Sequence, residues 1–531
     1  MLDLLLTGGQ VLDGTGAPAK QADIGIKDGR IAAVGDLSGA AARRTLDISG
    51  SIAAPGFIDA HCHSDHWAAQ VPETSAKLLQ GVTTDVCGLC GNSPCPDRPE
   101  SGYATGDSTT FVDGSEAHTW GSYYEKMNAQ GNSTNLLCFV GNANLRGSWA
   151  GTGPQTATAE QLGQMRGMLR QAMEEGAPGL STGLTYVPSG YSSTEELVEL
   201  CREIAPFGGI YDSHMRNEGV RVLEAIREVI EIAQRSGCQG HISHLKISDR
   251  SLHGHAADCL ALLDEAEAAG CPIKFDVYPY TAGSTGLDSL LPPEFRPLSQ
   301  KMLTPAQKET LTARLAQNDW DNLVLSCGWD KIFVGTAGRA AQYDGANLAA
   351  LSGELGLPPQ EALLRVLRES EGRATMIYHC IAEEDLVRFL KDPRCMIGTD
   401  AYARCYTGPT AEGKPHPRNY AGFVRYLSCY VLGQGILPLE EAVHRITELP
   451  ARTFHLKDRG TLRPGSWADI TVFDPAKLKE NADYTDPVQQ PDGIRFVLVN
   501  GVPAVEEGQF RDVRAGRALR GGRREETADE V

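Results

Sequence analysis

Short apolar runs rich in β-branched residues alternate with stretches of helical hydrophobic spacing through most of this chain. Helices are predicted at 159–175 and at 219–236. In the second helix the apolar residues at near-helical intervals are Val220, Leu223, Ile226, Ile230 and Ile232. The apolar runs number eight: FIDAHCH (57–63), TTDVCGLCG (83–91), NLLCFVGN (135–142), PGLSTGL (178–184), GIYDSHM (209–215), QGHISHL (239–245), IKFDVYPY (273–280) and RCMIGTD (394–400). This alternation is typical of β/α units, so we predict an α/β fold, a TIM-like (β/α)8 barrel.

Both ends of the chain have a different pattern. Residues 1–55 and 456–515 contain short β-type runs separated by turns, with Asp-Gly dipeptides at 13–14 and 28–29. We predict that these two segments pair into a small β-sandwich domain and that the barrel domain occupies 56–455.

Two further segments interrupt or extend this arrangement. Residues 290–375 are too long for an ordinary connection, so we predict an inserted subdomain or lid there. The run MIYH at 376–379 competes with RCMIGTD for the role of last barrel strand. Residues 516–531, rich in Arg, Glu and Gly, are predicted to form an unpacked tail.

Composition narrows the class of protein. The chain has 531 residues and a formal charge of −19, which argues against a nucleic-acid-binding protein. Fourteen scattered cysteines suit reduced thiols in a cytoplasmic protein better than a disulfide framework. The N-terminal MLDLLLTGGQ lacks the features of a signal peptide, and no run approaches the length that spans a membrane. The oligomeric state is not predicted.

Metal-ligating residue types close several of the predicted strands. They are His61 and His63 after the first run, Cys90 after the second, His214 after the fifth, His244 after the sixth and Asp400 after the eighth. In a β/α barrel the strand ends meet at one face, and imidazole and thiolate are good zinc ligands. Taken singly, Asp400 has an equal claim as a helix cap, and one of His241 and His244 faces away on an alternating strand. We interpret Cys62, Cys87 and Cys95 as buried structural thiols.

A set of motifs makes the chain resemble a known family. AAPGFIDAHCHSD resembles the entry motif of the amidohydrolase superfamily. QGVTTDVCGLCG, GLSTGLTYVPSG, SHMRNEG, HISHLK, DVYPYTAGSTGL, IGTDA and HPRNYAGFVRYL together resemble the N-acyl-D-amino-acid deacylases, or D-aminoacylases, over about residues 1–515. The resemblance implies metal ligands at His61, His63, Cys90, His214 and His244, and a catalytic acid/base at Asp400. It implies one tightly bound Zn2+ and a second, weaker or variably filled position.

The function implied is zinc-dependent hydrolysis of N-acyl-D-amino acids to a carboxylate and a free D-amino acid, with metal-activated water and Asp400 as proton acceptor and donor. Such a small-molecule substrate carries a carboxylate, so the pocket should contain a cation. Lys246 is the first candidate. Further substrate-binding candidates are Tyr280, Ser284, Tyr186, Arg216 and Arg418.

Two alternatives stay open. A cyclic amidase of the hydantoinase or dihydroorotase type shares the barrel and the His-x-His pair, but it uses a carboxylated Lys on the fourth strand, and PGLSTGL contains no Lys. A catalytically inactive structural relative is the second alternative, although such chains typically lose ligands that are retained here. The preferred side chain and acyl group are not predicted.

Overall fold

The computed structural model describes residues 1–103, 110–296 and 303–521 and has a mixed α/β architecture. Each of the eight predicted apolar runs contains a parallel strand: Phe57–Asp59, Val82–Cys87, Asn135–Cys138 with Val140–Gly141, Gly179–Gly183, Ile210–His214, Gln239–Ile242, Ile273–Val277 and Cys395–Ile397. These parallel strands form two sheets, and within each sheet neighbouring strands pair in chain order. The break between the two sheets falls at Phe139, within the third run. The amide of Ala60, just past the first strand, donates to the Ile397 carbonyl of the eighth at 3.0 Å.

The first predicted helix matches Ala159–Glu175, where Thr158 and Gln161 form a reciprocal capping box. The second begins later than predicted and spans Val222–Ser236. Val220 precedes it and is exposed, so its assignment to the apolar face was wrong. The helical face that packs inward consists of Val222, Ala225, Ile226, Val229, Ile232 and Ala233.

Fourteen further α-helices and one π-helix occur within the described ranges. Those before residue 300 are Asp65–Ala68, Ser75–Leu78, Trp120–Gln130, Asn142–Trp149, Thr194–Ile204 and Ala256–Ala268. Those after it are Pro305–Arg314, Leu323–Cys327, Leu348–Leu355, Pro359–Glu369, Glu383–Lys391, Arg418–Arg425, the π-helix Tyr426–Gly433, Leu439–Arg445 and Glu448–Thr453. No described helix is both long enough and apolar enough to span a membrane.

Strands from both chain ends share one sheet. Ile52–Pro55 pairs antiparallel with Ile470–Phe473, which joins the two termini. The complete seven-stranded sheet runs in the order Gln509–Phe510, Val502–Glu506, Ile494–Val499, Ile470–Phe473, Ile52–Pro55, Gln10–Val11 and Lys20–Gln21. A four-stranded sheet contains Arg30–Gly35, Asp23–Lys27, Leu2–Thr7 and Ala42–Asp47. Leu6 and Ile24 of this second sheet belong to the same buried apolar cluster as Val472 and Leu498 of the first.

The long segment after the seventh parallel strand adds a separate three-stranded antiparallel sheet. Its strands are Ala282–Gly286, Thr375–His379 and Ile332–Val334. The MIYH run lies in this sheet, while Cys395–Ile397 pairs parallel with Ile273–Val277. MIYH is therefore excluded as the last parallel strand.

The first residues of the segment predicted as an unpacked tail are packed against the rest of the protein. Gly516 donates to the Asn132 carbonyl at 2.8 Å, Leu519 donates to the Leu136 carbonyl at 2.7 Å, and Ala518 is buried. Residues 516–521 thus run along the third parallel strand, and 522–531 lie outside the described residues. The composition of the segment hid this contact, because it is made mainly by the backbone.

Candidate metal centre

Three of the predicted site residues have left-handed backbone conformations. Cys90 has φ 51°, His244 has φ 37° and Asp400 has φ 49°. Each lies two or three residues beyond the end of a parallel strand, so the alternation of side chains along a strand does not determine its direction. A non-glycine residue in this region costs on the order of 1–3 kcal/mol, and such strain concentrates at functional sites.

The side chains of these residues converge. Ligand atoms of His61, Cys90, His244 and Asp400 all lie within 4.8 Å of one another. The Cys90 Sγ atom is 3.4 Å from His61 Nε2 and 3.4 Å from His244 Nε2. His214 joins them, since its Nδ1 atom is 3.0 Å from His244 Nε2 and 3.8 Å from Cys90 Sγ. A thiolate with several imidazoles is a donor set typical of zinc.

His63 contacts the same cluster through Asp400. Its Nε2 atom is 3.1 Å from Asp400 Oδ1, whereas His61 Nε2 is 3.8 Å from that oxygen. The strand prediction for the His-x-His pair was wrong in detail, because the first strand ends at Asp59 and His63 belongs to a two-residue strand beside Tyr402. Both rings nevertheless meet at Asp400.

Neighbouring charges keep two of these groups ionised. Burial raises the pKa of the Cys90 thiol, but His61 and His244 outweigh it and hold that pKa well below its usual value. Burial likewise raises the pKa of the Asp400 carboxyl, but Arg418 and then His63 hold it well below its usual range. The site therefore presents a thiolate and a carboxylate, the forms that bind a cation.

Glu218 was missed by the sequence prediction. It is buried and lies next to His244 and Lys246. Its Oε1 atom is 3.1 Å from His244 Nδ1 and 2.5 Å from Lys246 Nζ. Lys246 and the imidazoles outweigh burial and lower the pKa of this carboxyl. Its position in SHMRNEG, four residues after His214, was the only sequence signal. Carboxylates that accept from the outer nitrogen of a ligating His orient the ring.

The long segment after the seventh strand contributes to this region as well. Asp321 accepts a hydrogen bond from the Glu218 amide at 3.2 Å. Burial, and then the negative charge of Glu218, raise the pKa of Asp321 to about 6. The predicted insertion or lid thus contacts the backbone of Glu218.

The predicted substrate-binding residues divide into two groups. Lys246 and Arg418 lie on the site, where Arg418 Nη2 is 2.9 Å from Asp400 Oδ2. Tyr278, which was not predicted, has its ring centre 4.6 Å from the Arg418 guanidinium and 5.7 Å from Lys246 Nζ. Ser284 accepts from Arg418 through its carbonyl at 3.0 Å.

The remaining three differ in their neighbours. The ring of Tyr186 lies 4.8 Å from that of His214, so it borders the cluster. Tyr280 instead packs against His416, with ring centres 4.9 Å apart. Arg216 pairs with Glu228 at 2.9 Å and donates to two backbone carbonyls, so its charge is already compensated away from the cluster.

The cysteines interpreted as structural are buried away from the ligand atoms. Cys62 donates to Ser64 Oγ at 3.3 Å, Cys87 to the Leu137 carbonyl at 3.6 Å and Cys95 to the Ala117 carbonyl at 3.2 Å. None of the fourteen cysteines, all of which lie in the described ranges, forms a disulfide. His241 is buried behind the cluster with its Nδ1 atom 2.5 Å from Asp212 Oδ2, so it does not join the ligands.

The chain is similar to several known proteins. Residues 395–505 match the model of the Amidohydrolase family. A D-aminoacylase from Alcaligenes xylosoxydans xylosoxydans is 35% identical over 517 residues, covering 97% of each chain.

Two solved structures superpose with a TM-score of 0.82 over 98% of this chain and 100% of theirs. One, at 32% identity, is a D-aminoacylase studied for its binuclear metal centre, with one-metal activation and second-metal attenuation. The other, at 34% identity, is an N-acyl-D-glutamate deacylase from Bordetella bronchiseptica bound to zinc and a phosphonate mimic of the tetrahedral intermediate. The chain belongs to the D-aminoacylase family of amidohydrolases.

Proposed function

We propose that this protein is a metal-dependent hydrolase that cleaves the amide bond of N-acyl-D-amino acids, releasing a carboxylate and a free D-amino acid. The observation that carries the proposal is the convergence of His61, Cys90, His244 and Asp400 ligand atoms within 4.8 Å of one another. A buried thiolate and carboxylate among imidazoles are costly unless a cation compensates them. The donor set therefore fits zinc.

In this proposal Cys90, His214 and His244 hold the tightly bound zinc, and His61 and His63 border a second, weaker position. Bound zinc supplies Lewis acidity, which polarises a carbonyl oxygen and lowers the pKa of water toward neutrality. His214 Nε2 lies 2.9 Å from the Thr185 hydroxyl, and the other ring nitrogen, Nδ1, faces the cluster. His244 Nδ1 lies 3.1 Å from Glu218 Oε1 and 2.9 Å from Lys246 Nζ.

Asp400 acts as the proton acceptor and donor. Held as a carboxylate by Arg418 and His63, it takes a proton from the attacking water and then transfers it to the departing amine nitrogen. Protonation of that nitrogen is required because an amide anion is a poor leaving group.

Arg418 and Lys246 bind the carboxylate of the substrate. Two guanidinium nitrogens of Arg418, Nε and Nη1, are buried and have no hydrogen-bond partner among the described residues. Buried donors of this kind seek an acceptor, and a substrate carboxylate can accept a charge-assisted hydrogen bond from one of them. Lys246 is paired with Glu218, a contact that keeps its ammonium beside the Tyr278 ring.

The architecture proposed around the site is a closed barrel with a β-sandwich beside it. The bond from Ala60 to Ile397 supports closure between the first and eighth strands, and the joint core of the two terminal sheets supports the sandwich. We propose domain limits of 1–55 with 456–515 for the sandwich and 56–455 for the barrel, with 290–375 as an insertion. The fourth strand, Gly179–Gly183, contains no Lys, which argues against the cyclic amidase alternative.

The test is a hydrolysis screen of N-acetyl-D- and N-acetyl-L-amino acids together with zinc analysis. The D series should be hydrolysed, and Asp400→Asn should lower kcat by about 100- to 10,000-fold while zinc content is unchanged. Faster turnover of the L series would contradict the stereochemical assignment. A protein that is inactive without zinc and remains inactive after zinc addition would support the catalytically inactive alternative.

A further inference from the structure

A carboxylate without a hydrogen-bond partner lies in the interior beneath the candidate metal centre. Asp276, on the strand Ile273–Val277, has no exposed surface. Neither of its carboxylate oxygens has a hydrogen-bond partner within the part of the chain that the structure describes. Most buried polar groups in proteins are satisfied, so an unsatisfied carboxylate at this depth calls for a specific explanation.

Two histidine nitrogens face this carboxylate. Asp276 Oδ2 is 3.6 Å from His61 Nδ1 and 3.8 Å from His241 Nε2. Both nitrogens are also buried and lack a hydrogen-bond partner among described residues. His241 is fixed from behind by Asp212, whose other oxygen accepts from Ser243 at 2.5 Å. An unsatisfied carboxylate and two unsatisfied imidazole nitrogens therefore face each other just beyond hydrogen-bond distance.

The two ring nitrogens of His61 face different groups: one faces the Asp276 carboxylate and the other faces the candidate metal centre. Its Nε2 atom faces Cys90 Sγ at 3.4 Å, while its Nδ1 atom faces Asp276. A neutral imidazole carries one N–H and one lone pair, and a carboxylate only accepts. The contact with Asp276 is attractive when Nδ1 carries the hydrogen, and this leaves the Nε2 lone pair directed at the centre.

Gly398 makes the approach of these two side chains possible. A Cβ atom at this position would lie 2.4 Å from Asp276 Oδ1 and 2.5 Å from the His61 Cβ. The φ of Gly398 is outside the left-handed region, so the backbone does not require glycine here. The glycine of the IGTD motif is therefore explained by space for the Asp276–His61 contact.

We propose that Asp276 is a positioning residue that accepts a hydrogen bond from His61 Nδ1–H and thereby directs the Nε2 lone pair of His61 toward the metal. This inference rests on the proposed function. It assigns to Asp276 a role in metal affinity through His61, without contact with the substrate.

The test compares apoprotein of the wild type with Asp276→Ala and Asp276→Asn. Zinc is titrated against a chromogenic chelator, which gives the number and affinity of bound ions without measuring catalysis. Asp276→Ala should weaken the more weakly bound zinc by about 10- to 100-fold, the usual effect of removing the partner of a ligating His. Asp276→Asn keeps a neutral acceptor, so its affinity for this zinc should lie between those of the wild type and Asp276→Ala. The tightly bound zinc, held by Cys90, His214 and His244, should be unaffected.

The matched control is Asp385→Ala, which removes a buried carboxylate that accepts from the amides of Gly254 and Ala256. It should lower thermal stability without changing zinc affinity. Cobalt substitution adds a spectroscopic readout, since a reoriented His61 should alter the visible ligand-field bands in Asp276→Ala and leave those of Asp385→Ala unchanged.

Wild-type zinc affinity and unaltered cobalt bands in folded Asp276→Ala and Asp276→Asn would overturn the inference, as would a single zinc per chain bound equally by all variants. If Asp276→Ala fails to fold, Asp276→Asn alone decides. A wild-type protein that binds no zinc and hydrolyses no N-acyl-D-amino acid would instead refute the proposed function.

Discussion

Arg418 contacts the carboxylate of Asp400, with 2.9 Å between Nη2 and Oδ2, on the oxygen not facing His63. Both side chains are largely buried. A buried guanidinium beside a buried carboxyl favours its ionised form. The contact therefore links substrate recognition to the charge state of the proposed proton acceptor.

Replacing Arg418 should shift the pH dependence of hydrolysis. Arg418 holds the pKa of Asp400 well below its usual range, and the carboxylate is the form that accepts a proton. Activity is lost as the pH falls through that pKa, so Arg418→Gln, which raises it, should move the acid limb of the kcat profile to higher pH. Arg418→Lys retains a cation and should shift the limb less. An acid limb at the same pH in Arg418→Gln would contradict this electrostatic role.

Cys90 and Cys87 are close in sequence but have different predicted roles. Cys90→Ala should abolish stoichiometric zinc binding, because it removes the proposed anionic ligand of the tightly bound zinc, whose Sγ atom lies 3.4 Å from His244 Nε2. Cys87 donates to the Leu137 carbonyl and is not part of the candidate ligand cluster, so Cys87→Ala should retain zinc and lose about 1 kcal/mol of stability. Elemental analysis and thermal unfolding measure both effects. Equal zinc content in the two variants would exclude Cys90 as a ligand.

Lys246 should contribute to substrate binding and not to the tightly bound zinc. A charge-assisted hydrogen bond contributes about 1.5–3 kcal/mol, so Lys246→Ala should raise KM by about 10- to 100-fold with zinc content unchanged. Arg216→Ala is the control, because its guanidinium contacts Glu228 and two backbone carbonyls instead of the candidate metal cluster. It should leave KM near the wild-type value. An unchanged KM in Lys246→Ala would reject Lys246 as a carboxylate ligand.

Local hydrophobic patterns predicted the strands well, because a buried parallel strand is a short apolar run whatever its neighbours are. All eight runs contain parallel strands. The helix at 219–236 was less accurate: Val220 fits the helical period but lies before the first turn and faces solvent. Helix starts depend on the path of the preceding loop, which the period does not encode.

The candidate site was predictable where the residue type itself indicates metal chemistry, as for Cys90 and His214. Glu218 and Asp276 gave no such signal, because a carboxylate is most often a solvated surface group. Their importance depends on burial and on which His nitrogen each one faces, and both are properties of the tertiary structure. The role of Tyr278 also depends on the tertiary structure, and the sequence analysis predicted Tyr280, two residues later, instead.

Removal of metal should destabilise the folded protein in a concentration-dependent way. Zinc that binds the native state alone stabilises it by RT ln(1 + [Zn]/Kd), about 4 kcal/mol at a thousandfold excess over Kd. Each tenfold rise in free zinc above Kd adds about 1.4 kcal/mol, so the Tm of the wild type should rise steadily with buffered zinc and fall when a chelator is added. Cys90→Ala should show neither response, whereas Asp400→Asn should retain most of it, because Cys90, His214 and His244 remain. A wild-type Tm independent of free zinc would show that the native state gains no stability from the ion.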